Sequence, residues 1–559
     1  MADSSDHDTL PPSMEPGASD VVEPPSHLGG IVRRLGPGLI IAGSIVGSGE
    51  LIATTKTGAQ AGIALLWLIV IGCVIKVFVQ VELGRYTITH GETTLSALDR
   101  VPGPRLLVNW IIWFWLLMML IGFGQLGGIV GGVGQAAALA LPFRGDYAQA
   151  ILIPSQGELE EYVRWEDDRA NGEVEFGQLI PTEQERVRRG QQALRERLER
   201  LEPEHGDLAE KVRAGQQFED PATWDDKIWA AVVTVLTAVL LYRGRYRLIQ
   251  NVAMTLVVLF TFITLGNVFS LQSTERWHIP LSEFMQGLSF GLPAADDAWS
   301  SLATALATFG IIGVGASELV AYPYWCLEKG YARFTGPRTT DDRWAVRARG
   351  WLKVMHYDAF ASMVVYTVAT LAFFVMGVAV LHKEGLDPDG MRMVSTLAMA
   401  YVPVFGEYAR WLFLIGAVAV LYSTFLVATA GNARMWTDAL KIFGLMRLHS
   451  QRSHDTAVSI FSVCLPFVCL ALYVGGINPV RWILLSGAMQ ALLLPMIGVG
   501  ALYFRFTQTD ARLRPSKLWD VMLTVSFVGL LVAGLWGGWS KLIQPIMQSI
   551  GLLGGVVVG

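Results

Sequence analysis

Two carboxylates stand in apolar surroundings, each behind a cluster of glycines. Glu50 closes the stretch "GSIVGSGE", and Glu318 follows Gly310, Gly313 and Gly315 in "GIIGVGASELVAYP". A lone charge in an apolar segment is expensive, so it marks damage, a helix cap or a site. Glycine weakens a helix, and an unwound stretch frees backbone carbonyls. Glu50 and Glu318, with Ser48, Ser317, the backbone at Gly47 and the amide of Gln490, can compose an all-oxygen site for a hard cation, the two acids being its metal ligands. Two other readings stay open. The acids can cap helices that restart behind each glycine cluster, where the positive end of the dipole favours an anion. They can also pair with a basic residue, Lys56 being one candidate. Asp358, beside His356, is a candidate for a proton or gating role against a plain interfacial position in water. Glu82 is the next candidate for such a role, although its spacing to Arg85 reads first as an intrahelical ion pair, as does that of Arg434 to Asp438.

The elements that must position these residues are membrane spans. The chain has 559 residues, 52% hydrophobic and only 16% charged, with a mean hydropathy of +0.42, which describes a polytopic membrane protein. Apolar stretches of about 20 residues give about eleven spans: 37–59, 61–84, 106–142, 226–242, 249–270, 299–326, 354–381, 409–440, 456–475, 480–504 and 518–540. Glu50 falls in the first and Glu318 in the sixth. Basic residues collect on one side: Arg33 and Arg34, then Arg85, Arg100 and Arg105, then Arg243, Arg245 and Arg247, the segment 329–353, and Arg505 to Lys517. That asymmetry places the N-terminus in the cytoplasm and the C-terminus outside, in a plasma (inner) membrane.

Residues 1–30 are acidic and rich in Pro and Ser, which reads as a disordered cytoplasmic tail and not a signal peptide. Spans one to three occupy 31–142, spans four to eleven 226–540, and a C-terminal tail 541–559. Between them, 143–225 is a hydrophilic, partly helical insert expected outside. Thr182 with Glu185 forms a capping box there, and Val187, Leu194, Leu198 and Leu201 share a helical face until Pro203. A solvated insertion is the simpler reading, a lid or partner-binding element the sharper one. The four cysteines show no CxxC spacing, so neither disulfides nor a thiolate metal site is expected. A net charge of −5 gives no reason for a nucleic-acid partner. Without a phosphate-binding loop, a catalytic triad or a metal-hydrolase spacing, neither a primary pump nor an enzyme is indicated, and no cofactor is implied.

Backbone groups cannot be left open towards lipid, so a broken span must face protein or a water-filled cavity. Paired breaks in matching positions of two halves point to a transporter's midplane site. The run "GPGLIIAGSIVGSGELIATTKTGAQAGIALLW", Gly36 to Trp67, resembles the opening of the Nramp family of divalent-metal transporters, through Gly36, Pro37, Gly38, Gly58, Ala59, Ala61, Gly62, Leu66 and Trp67. "QVELGRYTITHGE" is similar to that family's second-span exit and "GIIGVG" to the lead-in of its sixth-span break. The resemblance covers about residues 31–142 and 226–540 and implies an all-α, leucine-transporter-like fold: two inverted repeats of five helices with helices one and six broken, and an eleventh at the end.

The family's ligand motifs are replaced. Its first break reads DPGN, where this chain has Gly47, Ser48, Gly49 and Glu50; its sixth reads MPHN, where this chain has Ser317, Glu318, Leu319 and Val320. The family's third-span acids are missing from 106–142, which offers Gly124, Gln125, Gly127 and Gly128 instead. The reading that follows is a secondary-active transporter working by alternating access, its cargo a hard divalent cation such as Mg²⁺ or Mn²⁺. Two alternatives are a transporter of a small cationic organic solute held by Glu50 and Glu318, and a transport-inactive sensor or scaffold signalling through the insert or tails.

Overall fold

The structure, a computed structural model, describes residues 21–538 except 173–174, 180, 206–207, 217–219, 244–245, 294–297, 406–407 and 448–449. Nine segments among the described residues are long and apolar enough to cross a bilayer. The first, Pro37–His90, has 54 residues. As one straight helix it would measure about 80 Å, against a hydrocarbon core of ~30 Å. It turns back at Gly62, where φ is 59° and the tight turn Gly62–Leu65 follows, so it makes two crossings. Asp225–Arg243 carries Asp225, Asp226 and Lys227 at its start, yet exposes Val232, Val235, Leu236, Val239 and Tyr242 along its length, as a helix against lipid does. With these, the crossings match the eleven expected.

Among the described residues the bundle is helical apart from a two-residue ladder that pairs Arg105 with Asn109 and Leu106 with Val108. The sixth span is two helices, Ala298–Ile311 and Ala316–Lys329. The seventh, Asp342–Met376, begins well before the expected 354 because its basic first turns are packed and not merely solvated: Trp344 and Trp351 are fully buried, and the Trp351 indole donates to the Val22 carbonyl at 2.9 Å. That bond and the one from Val22 N to Phe334 O at 3.1 Å tie down the end of the tail read as disordered, and Leu28–Arg34 is a helix. Residues 1–20 and 539–559 lie outside the described residues, which takes in the whole expected C-terminal tail.

The insert folds as helices Gln156–Ala170, Pro181–His205 and Leu208–Arg213 around a small core of Leu159, Val163, Leu208 and Val212. Its clearest capping box is Ser155 with Glu158, whereas the side chain of Thr182, named for that role from sequence, lies outside the described residues. The second helix runs two residues past Pro203. The insert is docked on the bundle: Arg392, in the loop between spans seven and eight, is only 5% exposed, donates to Ile153 O at 2.6 Å and contacts Asp220 at 3.1 Å.

One of the two expected intrahelical ion pairs is reassigned. Arg434 bonds Glu328 at the end of the sixth span, while Asp438 accepts from Thr93 and from the Tyr324 hydroxyl, each at 2.5 Å. Helix–helix packing offers both residues partners on other elements that compete successfully with the i,i+4 neighbour. Glu82 and Arg85 do pair, at 3.1 Å, and Glu82 also accepts from the Trp519 indole at 2.6 Å.

Candidate functional site

The first span runs as a helix from Pro37 to Ile45, breaks at Val46 and Gly47, and resumes at Ser48 in wide π turns that last to Thr54. The break is pressed against the eighth span, since a Cβ on Gly47 would lie 1.8 Å from Thr424 Oγ1. In the sixth span residues 312–315 are the break. Both breaks therefore precede the acids. Glu50 and Glu318 sit in the first turn of the restarted helices, where the dipole favours a negative charge.

A cavity of about 30 Å³ lies between the breaks, with Ser44, Ser48, Ser317, Glu318, Gln125 and Gln490 on its wall. Thr424 and Asn432 of the eighth span and Met118 and Met119 of the third complete its polar and soft edges. Glu318 is half-buried and its Oε1 accepts from Ser44 Oγ at 3.3 Å. Its Oε2 lies directly over Gly315: a Cβ there would be 2.5 Å from that oxygen and 2.7 Å from Gln490 Oε1. A neutral chain of hydrogen bonds joins the two breaks. Gln125 Nε2 donates to Ser48 Oγ at 3.3 Å, while Gln125 Oε1 accepts from Ser486 Oγ at 2.8 Å and Gln490 Nε2 at 3.0 Å. Gln490 Oε1 in turn accepts from Ser317 N at 3.2 Å.

The fold thus gathers Ser48, Ser317, Glu318 and Gln490 around one space, with Gly47 beside it. Glu50 is not on that wall. It is fully buried behind the sixth-span break, where its Oε1 accepts from Gly313 N at 3.3 Å and Thr370 Oγ1 at 3.2 Å. Nor does Lys56 pair with it: Lys56 reaches outward to Asp387 at 2.6 Å. Asp358 is not in interfacial water either. It is fully buried, its two oxygens accept from Gly36 N at 2.8 Å and Gly38 N at 2.5 Å, and Tyr322 donates to it at 3.2 Å. Asp358 caps the start of the first span, and Glu82 joins the second span to the eleventh; neither touches the cavity.

Several contributors escaped the sequence reading, among them Ser44, Thr424 and Ser486 on the cavity wall. Met118 and Met119 bring thioethers from the third span, although the family's sixth-span methionine position is Ser317 here; Asn432 and Lys76 escaped it as well. Lys76, fully buried beside the sixth-span break, was signalled by being the one charge in "CVIKVFVQ".

Among the solved structures that share this architecture are two of the manganese transporter of Eremococcus coleocola. A histidine-to-alanine mutant is 16% identical, with 98% of this chain and 93% of that chain covered and a TM-score of 0.57. The complex with an aromatic bis-isothiourea substituted compound is 17% identical, covers 98% and 96%, and has a TM-score of 0.55. No curated protein sequence matches. Residues 39–316 match the amino acid permease family model. Residues 222–540, more than half of the 559, match the family described as natural resistance-associated macrophage protein-like. By that match, the chain belongs to the Nramp family, whose members are membrane transporters and not enzymes.

Proposed function

We propose that the protein is a secondary transporter that carries a divalent metal cation by alternating access, with Glu318 as the charged ligand. The observation that supports this most is the cavity between the two breaks, where one carboxylate meets a ring of neutral oxygens. Hard divalent ions accept carboxylate, hydroxyl, amide and water oxygens, and Mg²⁺ keeps several waters. At about 30 Å³ the cavity admits a partly hydrated ion, given that a water needs at least ~10–15 Å³. One carboxylate neutralises half of a divalent charge, which suits a site that must release its cargo as well as bind it. Met118 and Met119 at the edge widen the range from Mg²⁺ towards Mn²⁺ and softer ions.

A second reading, an organic solute bearing an amino group, is supported by the amino acid permease match over 39–316 and by the single carboxylate among hydrogen-bonding amides. Uptake into proteoliposomes of Mg²⁺, Mn²⁺, Ca²⁺ and a panel of amines separates the two. Saturable metal flux that Glu318→Gln abolishes supports the first; amine flux without metal flux replaces it with the second.

A further inference from the structure

One peptide group in the sixth-span break is held from both sides by buried ionisable groups. Lys76 Nζ, from the second span, donates to the carbonyls of Phe309 and Ile312, the latter at 2.8 Å, and lies 4.7 Å from the centre of the Phe309 ring. Glu50 Oε1, from the first span, accepts from Gly313 N at 3.3 Å. The carbonyl of Ile312 and the N–H of Gly313 belong to the same peptide unit. In a trans peptide they point in opposite directions, so the ammonium and the carboxylate face each other through that unit and polarise it. Lys76 also meets the C-terminal end of helix Ala298–Ile311, where the dipole is negative. Thr370 of the seventh span completes the Glu50 contact at 3.2 Å.

Both side chains are fully buried, and Glu50 Oε2 has no hydrogen-bond partner among the described residues. The other ionisable groups nearby are Cys73 of the second span, Glu318 beyond the break and Tyr366 of the seventh span. The buried ammonium thus faces two buried carboxylates, Glu318 and Glu50, and a single peptide group stands between it and Glu50.

We propose that Lys76 and Glu50 form a peptide-relayed charge pair that fixes the sixth-span break against the first, second and seventh spans, and that both are positioning residues of transport. This rests on the transport reading above and assigns Glu50 a role other than substrate ligand. By pinning residues 312–313, the pair sets where the restarted helix begins and so where Ser317 and Glu318 stand. A lone buried charge costs far more than either the pair or its neutral replacement.

The test is a mutant cycle in the full chain, Lys76→Met, Glu50→Gln and the two combined, read by melting temperature in detergent and by metal uptake in proteoliposomes. Each single is expected to lower the melting temperature and reduce the maximal uptake rate about tenfold or more. The half-saturating concentration is expected to stay within about threefold of the parent, because the cavity ligands remain. The double variant is expected to recover both melting temperature and rate relative to either single. A double variant no better than the worse single overturns the pair. So does a Glu50→Gln protein that melts like the parent but loses metal binding, which would return Glu50 to the role of ligand. The melting-temperature cycle needs no substrate; if the parent moves no metal at all, the transport reading fails while the pair is still decided.

Discussion

At the residue scale, Glu318 and Glu50 have the same side chain and the same place behind a glycine cluster, yet opposite surroundings. Glu318 faces the cavity and Glu50 is sealed behind the sixth-span break. Removing the charge of Glu318 from a weakly screened ion contact costs several kcal/mol, which is about two decades of affinity or more. Glu318→Gln is therefore expected to fold and to lose metal binding, measured by calorimetry on purified protein. Gly315→Ala acts on the same oxygen by sterics, because its Cβ would sit 2.5 Å from Glu318 Oε2. It is expected to weaken binding by about tenfold, since a displaced carboxylate is not an absent one. Met118→Leu keeps volume and removes sulfur. It is expected to reduce competition by Cd²⁺ while leaving Mg²⁺ uptake nearly unchanged, and equal losses for both ions would show that the thioether is not a ligand.

At the element scale, the loop between spans seven and eight is gripped from two sides. Lys56 and Gln60 of the first span bind Asp387 at 2.6 and 2.9 Å, and the insert binds Arg392 through Ile153 O and Asp220. The insert is thus an independently cored unit that shelters a buried guanidinium. Replacing residues 146–222 by a Gly/Ser linker is expected to preserve membrane insertion and keep uptake within about tenfold, because the cavity lies wholly between spans. It should also open the chain to trypsin at Arg392, where the parent, with that side chain buried, is expected to resist cleavage. Arg392→Ala in the intact chain is expected to cost about 2 kcal/mol, the usual loss for a buried charge-assisted contact. Full loss of uptake in the linker variant would mean that the insert takes part in the cycle.

At the scale of the whole molecule, buried acids outside the cavity tie spans together. Asp358 links the start of the first span to the sixth and seventh, and Glu82 links the second to the eleventh. Asp358→Ala is expected to lower stability by about 2–3 kcal/mol, as unsatisfied N–H groups at a helix start would cost, with metal affinity unchanged. The third span holds no acid, and the polar side chain it brings to the cavity is Gln125. Proton coupling is accordingly expected to be weak, which intravesicular pH recorded during metal uptake will test. Proton entry in step with metal flux would overturn that expectation.

The span count, the two breaks and the likeness to Nramp transporters were legible in the sequence, because hydropathy, glycine clusters and the run Gly36 to Trp67 are local properties that survive without knowledge of packing. Ser48, Ser317 and Glu318 could be named because they sit at or beside the breaks, and Gln490 as a polar amide in the apolar tenth span. What each side chain faces was decided only by the tertiary structure. The π turns Ser48–Thr54 change the helical phase, so Glu50 points at Gly313 and Thr370 and not at the cavity that Ser48 and Gly49 line, an angle that residue spacing does not encode. The same holds for the reassigned pairs. Lys56 and Arg434 found Asp387 and Glu328 on remote elements, at sequence separations of 331 and 106, because packing brings those partners nearer than any neighbour along the helix.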